Sequence, residues 1–226
     1  MDEIQPRLLR DEVYDLIWRR IMSGELKPGD RIVESRLASQ LAVSQTPVRE
    51  AVQQMVREGL LVTLARFGTF VRELDAHDIR DVYSVREALE SVAMSAVLLT
   101  PIDERDTSNL EQLYESMLEA AAADDGSRLV EFDMRFHKEI VRLSGNQALP
   151  DVMGPLLSQT AAFISITNLV YFDSLRAVAE THLPLLTLAQ HSSDAESGRS
   201  AVRDHLAKIW ELVASSETPP PEDPHW

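Results

Sequence analysis

Residues 34 to 59, ESRLASQLAVSQTPVREAVQQMVREG, constrain the chain more than any other stretch. Leu37, Ala38 and Leu41 fall at i, i+1 and i+4, which places them on one apolar face of a short helix. Ala42 and Val43 make a corner, and Ser44 is expected to cap a second helix through its hydroxyl. That second helix keeps Val48, Val52, Met55 and Val56 at helical spacing and turns Gln45, Thr46, Arg49, Gln53 and Arg57 elsewhere. Gly59 ends it, because glycine tolerates the left-handed conformation that closes a helix. Two helices, a tight turn and a polar outer face predict a helix-turn-helix. An ordinary helical hairpin has the same outline.

The residues that follow narrow the choice. Leu60–Leu64 and Thr69–Val71 flank Ala65-Arg66-Phe67-Gly68, the pattern of a β-hairpin with an arginine at its turn. Such a wing can lie on DNA backbone or minor groove, while Thr46 and Arg49 sit where a recognition helix meets the major groove. Upstream, residues 10 to 23 read as a helix, and Pro28-Gly29 punctuates a turn. Together, GELKPGDRI, then LASQLAVSQTPVREA, then the hairpin, resemble the winged helix-turn-helix of the GntR family of bacterial transcription regulators. The resemblance covers residues 24 to 72. It implies that Arg36, Ser44, Gln45, Thr46 and Arg49 contact DNA, with Arg66 and Gly68 on the wing and Arg31 a further phosphate contact. Many relatives carry Arg where this chain has Gln45. Arginine favours guanine and glutamine can pair adenine, so the operator is expected to differ at that base.

Net charge of −15 argues against DNA only until it is divided. Residues 1 to 72 carry 11 Lys and Arg against 10 Asp and Glu, net +1; the remainder carries 11 against 27, net −16. The acid is confined to the second part, which leaves the first able to meet a polyanion. With 226 residues the chain can hold two small domains. The absence of cysteine excludes disulfides and thiolate metal sites and is consistent with a cytoplasmic protein. No signal-peptide core and no apolar run of about 20 residues is found, so no membrane span is expected.

The organisation read from the sequence is mainly α: a winged helix-turn-helix at 1–72, a linker at 73–77, an all-α helical bundle at 78–215, and a disordered tail at 216–226. Helices are predicted over 77–99, 104–123, 127–143, 149 to about 171 with a late start or kink at Pro155, 181–190 and 195–215; 173–180 reads as a weak helix or loop. In the bundle, Asp133 and His137 share one helical face four residues apart, His182 opens a later helix, and His205 lies on the last. Separate helices can aim such groups into one cavity, and oxygen plus imidazole donors suit zinc, nickel, iron or manganese. Core histidines satisfied by hydrogen bonds would also account for them. His77, His191 and His225 read as core or surface residues.

VREALE at 85–90, DMRFHKEIVRLSGN at 133–146, His182 and RDHL at 203–206 resemble the FCD ligand-binding domain of FadR-type GntR regulators. The resemblance implies a divalent metal, zinc first, on Asp133, His137, His182 and His205, although Thr181 stands where Glu usually precedes the third histidine. It also implies a small organic acid beside the metal, with Arg86 as its partner. An ion pair of Arg86 with Glu87, Glu90 or another acid on the helix surface is the alternative. The expected protein is a homodimeric regulator, a repressor, that binds a palindromic double-stranded operator under control of the effector and is not an enzyme. Two other readings use the same residues: a metal-dependent enzyme tethered to DNA, and a sensor for which the metal is the signal.

Overall fold

The computed structural model describes residues 8–166 and 175–214. Expectations for the first seven residues, for 167–174, and for the tail with His225 lie outside them. The chain divides into two compact units between Glu73 and Leu74.

In the first unit, α1 (Leu9–Met22) precedes β1 (Arg31–Ile32), α2 (Glu34–Leu41), α3 (Gln45–Arg57), β2 (Leu61–Leu64) and β3 (Gly68–Val71). Val13, Ile17 and Ile21 form one buried stripe of α1, which packs on α3. From α3 the core receives Val48, Ala51, Val52 and Met55, each of the larger ones contributing about 1.5–3 kcal/mol of burial. Val56 is only partly covered; Ala51 takes the place expected for it.

Two local expectations are corrected. Ser44 occupies the N-cap position with extended backbone, but its hydroxyl makes no capping hydrogen bond. The corner itself falls at Ala42 as expected, and that residue adopts the left-handed conformation, φ 54°. The wing is not an isolated hairpin. β1 pairs antiparallel with β3, giving a three-stranded sheet of order β1-β3-β2 in which Arg31 faces Phe70 and Leu64 faces Gly68. The left-handed residue of the hairpin turn is Arg66, φ 70°, while Gly68 belongs to β3. A Cβ on Gly68 would come within 2.9 Å of the Arg31 guanidinium, so the glycine makes room for that arginine.

The second unit contains seven α-helices among the described residues: α4 (Ala76–Leu99), α5 (Ser108–Ala122), α6 (Gly126–Leu143), α7 (Leu149–Ile166), α8 (Leu175–Glu180), α9 (Leu183–His191) and α10 (Ala195–Ala214). A capping box starts α4, with Asp75 accepting from the Asp78 backbone N–H at 2.7 Å. Helix α5 begins later than expected. Pro101 opens a 3₁₀ turn over Ile102–Glu104, and the Asp106 side chain then engages Ser108. Helix α7 runs continuously from Leu149 through Pro155, and α9 starts at His182 with proline in its first turn. Helix α4 is central: α6, α7, α9 and α10 all pack against it. Val85 and Val92, two apolar residues of α4, are nevertheless exposed.

Candidate metal centre and nucleic-acid interface

The three histidines converge. His137 comes from α6, His182 from the start of α9 and His205 from α10; all are buried, and their candidate ligand atoms lie within 4.8 Å of one another. His205 Nε2 stands 3.3 Å from His137 Nε2. Asp133, one turn before His137, brings Oδ1 to 3.2 Å from His137 Nε2 and 3.4 Å from His182 Nε2. Neither Asp133 Oδ1 nor His182 Nε2 has an aligned hydrogen-bond partner, though both are fully sheltered from water. Orphaned buried donors and acceptors are costly, and these face a common point. Four donors about 2.0–2.1 Å from one centre would stand about 3.3 Å apart at a tetrahedral edge. The donor set therefore fits a divalent cation.

The outer contacts orient the rings. His182 Nδ1–H points to the carbonyls of Val178 at 3.2 Å and Ala179 at 3.3 Å, which leaves Nε2 with its lone pair towards the cluster. His137 Nδ1 lies 2.7 Å from Glu90 Oε2, an ion-pair contact off the line of the ring N–H. Glu90 Oε1 in turn accepts from Arg86 Nε at 2.8 Å, and Arg86 Nη1 donates to Thr160 Oγ1 at 3.3 Å. Arg86 is 2 % exposed and Glu90 1 %, so the ion pair expected on the helix surface is an interior one. Arg86 also stacks over the Tyr83 ring, 5.2 Å from its centroid.

Electrostatics follow from this packing. Burial alone would raise the Glu90 carboxyl, but Arg86 and His137 outweigh it and bring it down to about 2. Burial likewise disfavours a charged His137, yet Glu90 and Asp133 raise it to about 9. Burial opposes ionisation of Asp133 too, and His182 and His137 hold it well below the usual carboxylate range. Burial pushes His205 far down, aided by the other two rings, so it stays neutral. Beside the cluster is a cavity of about 10 Å³, room for about one water centre, lined by Tyr83, Arg86, Asp133, His137 and His205 among others.

On the first unit, Ser44, Gln45, Thr46 and Arg49 are exposed along the opening turns of α3, away from its buried face. Arg36 on α2, Arg31 on β1 and Arg66 at the wing turn are exposed as well, and Phe67 beside Arg66 is 69 % exposed. The Arg49 Nε reaches Glu34 Oε2 at 3.3 Å, on the first turn of α2. His77 and His191 are at the surface.

No local pattern in the sequence marks Glu34, Tyr83 or Thr160 as site residues, and Glu90 reads there only as a surface partner for Arg86. The i, i+4 spacing of Arg86 and Glu90, one turn apart on a helix rich in apolar residues, was the available signal.

A winged helix-turn-helix followed by an all-α unit with a buried Asp, His and Arg cluster defines a two-unit DNA-binding regulator. Residues 9–71 match the family model described as bacterial regulatory proteins, gntR family, and residues 81–208 match the FCD domain. The chain belongs to the GntR family, in the group that carries an FCD domain. It is similar over 224 residues, at 30% identity, to a protein of Paenarthrobacter nicotinovorans named as a probable D-xylose utilization operon transcriptional repressor; the match covers 96% of this chain and 95% of that one. It is 29% identical over 202 residues to the Nta operon transcriptional regulator of Aminobacter aminovorans, covering 87% and 92%. The fold is shared with E. coli McbR/YncC, TM-score 0.73 at 24% identity over 92% of this chain and 98% of that one. These relatives are transcriptional regulators, not enzymes, and the chain is accordingly a transcription regulator of the DNA-binding class. No helix among the described residues is long and apolar enough to cross a membrane.

Proposed function

We propose that this regulator is a cytoplasmic, homodimeric repressor whose operator affinity is set by a small carboxylate bound beside a divalent metal in the helical unit. Asp133 Oδ1 and Nε2 of His137, His182 and His205 would hold the ion, with zinc the first choice and nickel, iron or manganese compatible with the same donors. The metal supplies a fixed positive charge to one carboxylate oxygen. Arg86 supplies the second. Its Nη2 is buried without a hydrogen-bond partner, and the side chain lines the cavity beside the cluster. That orphaned donor, on a cavity it shares with Asp133, His137 and His205, is the observation that carries the reading.

A cavity of about 10 Å³ holds no organic acid as it stands, so binding requires the lining side chains to move. Such a ligand favours one arrangement of the helical unit over another, which is the differential affinity that control of DNA binding needs. On the DNA side, Arg36, Ser44, Gln45, Thr46 and Arg49 would read or clamp one half-site, with Arg31, Arg66 and Gly68 on the wing. A two-fold dimer would read a palindrome.

The experiment is operator binding by the zinc-loaded chain, with and without added carboxylates drawn from a panel. A carboxylate that lowers operator affinity at least tenfold, and loses that effect in Arg86→Gln, supports the reading. Affinity that depends on zinc alone makes the metal the signal. Indifference to both overturns effector control.

A further inference from the structure

Glu90 is close to the candidate metal centre without belonging to it. Its Oε2 lies against Nδ1 of His137, the ring edge turned away from the other histidines, and its Oε1 is taken by Arg86. It therefore adds a negative charge to the centre while filling no donor position. Asp133 and Glu90 carry one negative charge each and Arg86 one positive charge. A divalent ion on neutral imidazoles brings the total at the site to +1; the other buried carboxylate among the described residues of the helical unit, Glu139, is paired with Arg142. Interior charge that is left unbalanced is costly, so one anionic charge completes the site and two overshoot it.

The Arg86 guanidinium points the same way. Nε is committed to Glu90 and Nη1 to Thr160, which leaves Nη2 as the buried donor without a partner. Its fork is not open to grip two anionic oxygens side by side. Tyr83 shields one face of the same guanidinium.

We propose that Glu90 sets the charge of the ligand: the site takes a monoanion, a single carboxylate head, and discriminates against dianions. The proposal rests on the metal reading above. In Glu90→Gln the total becomes +2 and the preference passes to a dianion. In Glu90→Asp the charge is retained and the preference stays.

The test is titration calorimetry of the full zinc-loaded chain with acetate, methanesulfonate and sulfate, alongside zinc content by elemental analysis for each variant. Methanesulfonate shares the tetrahedral head of sulfate with one charge fewer, which separates charge from shape. In the wild type both monoanions are expected to bind at least tenfold more tightly than sulfate. Glu90→Gln is expected to shift the acetate-to-sulfate ratio at least tenfold towards sulfate, a change that loss of packing alone would not produce. A chain that takes up no zinc defeats the metal reading. Zinc-loaded wild type that prefers sulfate, or binds none of the three, overturns the inference alone. So does a Glu90→Gln variant that holds zinc and keeps the wild-type ratio. If Glu90→Gln fails to fold, the wild-type ratio and Glu90→Asp still decide.

Discussion

Glu34, on the first turn of α2, holds the Nε of Arg49 on α3 at 3.3 Å across the helix-turn-helix corner. Arg49 remains 59% exposed in this pair, so the contact adds little stability and leaves the guanidinium available. Replacing Arg49 with Ala is expected to abolish specific operator binding, with a loss of about 1–3 kcal/mol for the base contact alone. The thermal midpoint should be unchanged. A folded variant that binds the operator as the wild type does would contradict the assignment.

The α2–α3 corner carries a cost in the fold. Ala42 has φ 54°, a conformation that disfavours a Cβ by about 1–2 kcal/mol. After the extra freedom glycine brings to the unfolded chain, Ala42→Gly should stabilise the winged unit by about 1 kcal/mol. Denaturant unfolding of the wild type and variant measures this directly. A lower midpoint in Ala42→Gly would show that the corner is relaxed.

Arg105 ties two helix ends together. It donates to the carbonyls of Leu98 at 2.6 Å and Thr100 at 2.8 Å around the end of α4, and to Ala189 at 3.0 Å and Ser192 at 2.6 Å around the end of α9. Carbonyls at helix C-termini lack intrahelical partners, and a cation also suits the negative end of the dipole. Arg105→Ala should destabilise the helical unit by about 3 kcal/mol, and Lys should rescue only part of it because it lacks the planar fork. An unchanged unfolding midpoint for Arg105→Ala would remove this role.

Much of the architecture is legible in the sequence. The apolar spacing of α3, the Asp133/His137 pair on one face of α6, and the positions of His182 and His205 all depend on local periodicity, which a sequence displays. What was hidden depends on partners distant in the chain. The two residues of β1 have no period to detect and exist as a strand only because β3 lies beside them. Arg49 and Glu34 are 15 positions apart, and Glu90 meets His137 across two helices. Arg86 reads as a surface ion-pair residue by type and is buried because α4 is covered on several sides. Val85 and Val92 misled in the opposite sense, since they are apolar residues on the uncovered face.

The pH response of the metal-free protein has a definite sign. His137 is raised from 6.5 to about 9 by Glu90 and Asp133 against the effect of burial. Its stabilising contribution is therefore complete below pH 6.5 and lost as pH rises through 9. The thermal midpoint of chelator-treated protein should fall across that window. A metal ion competes with the same proton, so zinc affinity should rise with pH, up to about tenfold per unit, until about pH 9. Chelator competition at several pH values reads the second effect. Affinity that falls as pH rises would contradict it.

The proposed metal centre rests on Asp133, His137, His182 and His205 acting together. The most direct measurement is elemental analysis of the purified chain together with native mass spectrometry, repeated on His182→Ala. About one divalent metal per chain is expected in the wild type, lost in the variant. Retention of a small monocarboxylate with the metal would identify the class of effector. A wild-type chain with no metal, and no uptake from added zinc or nickel, would contradict the metal centre and return the three histidines to the core.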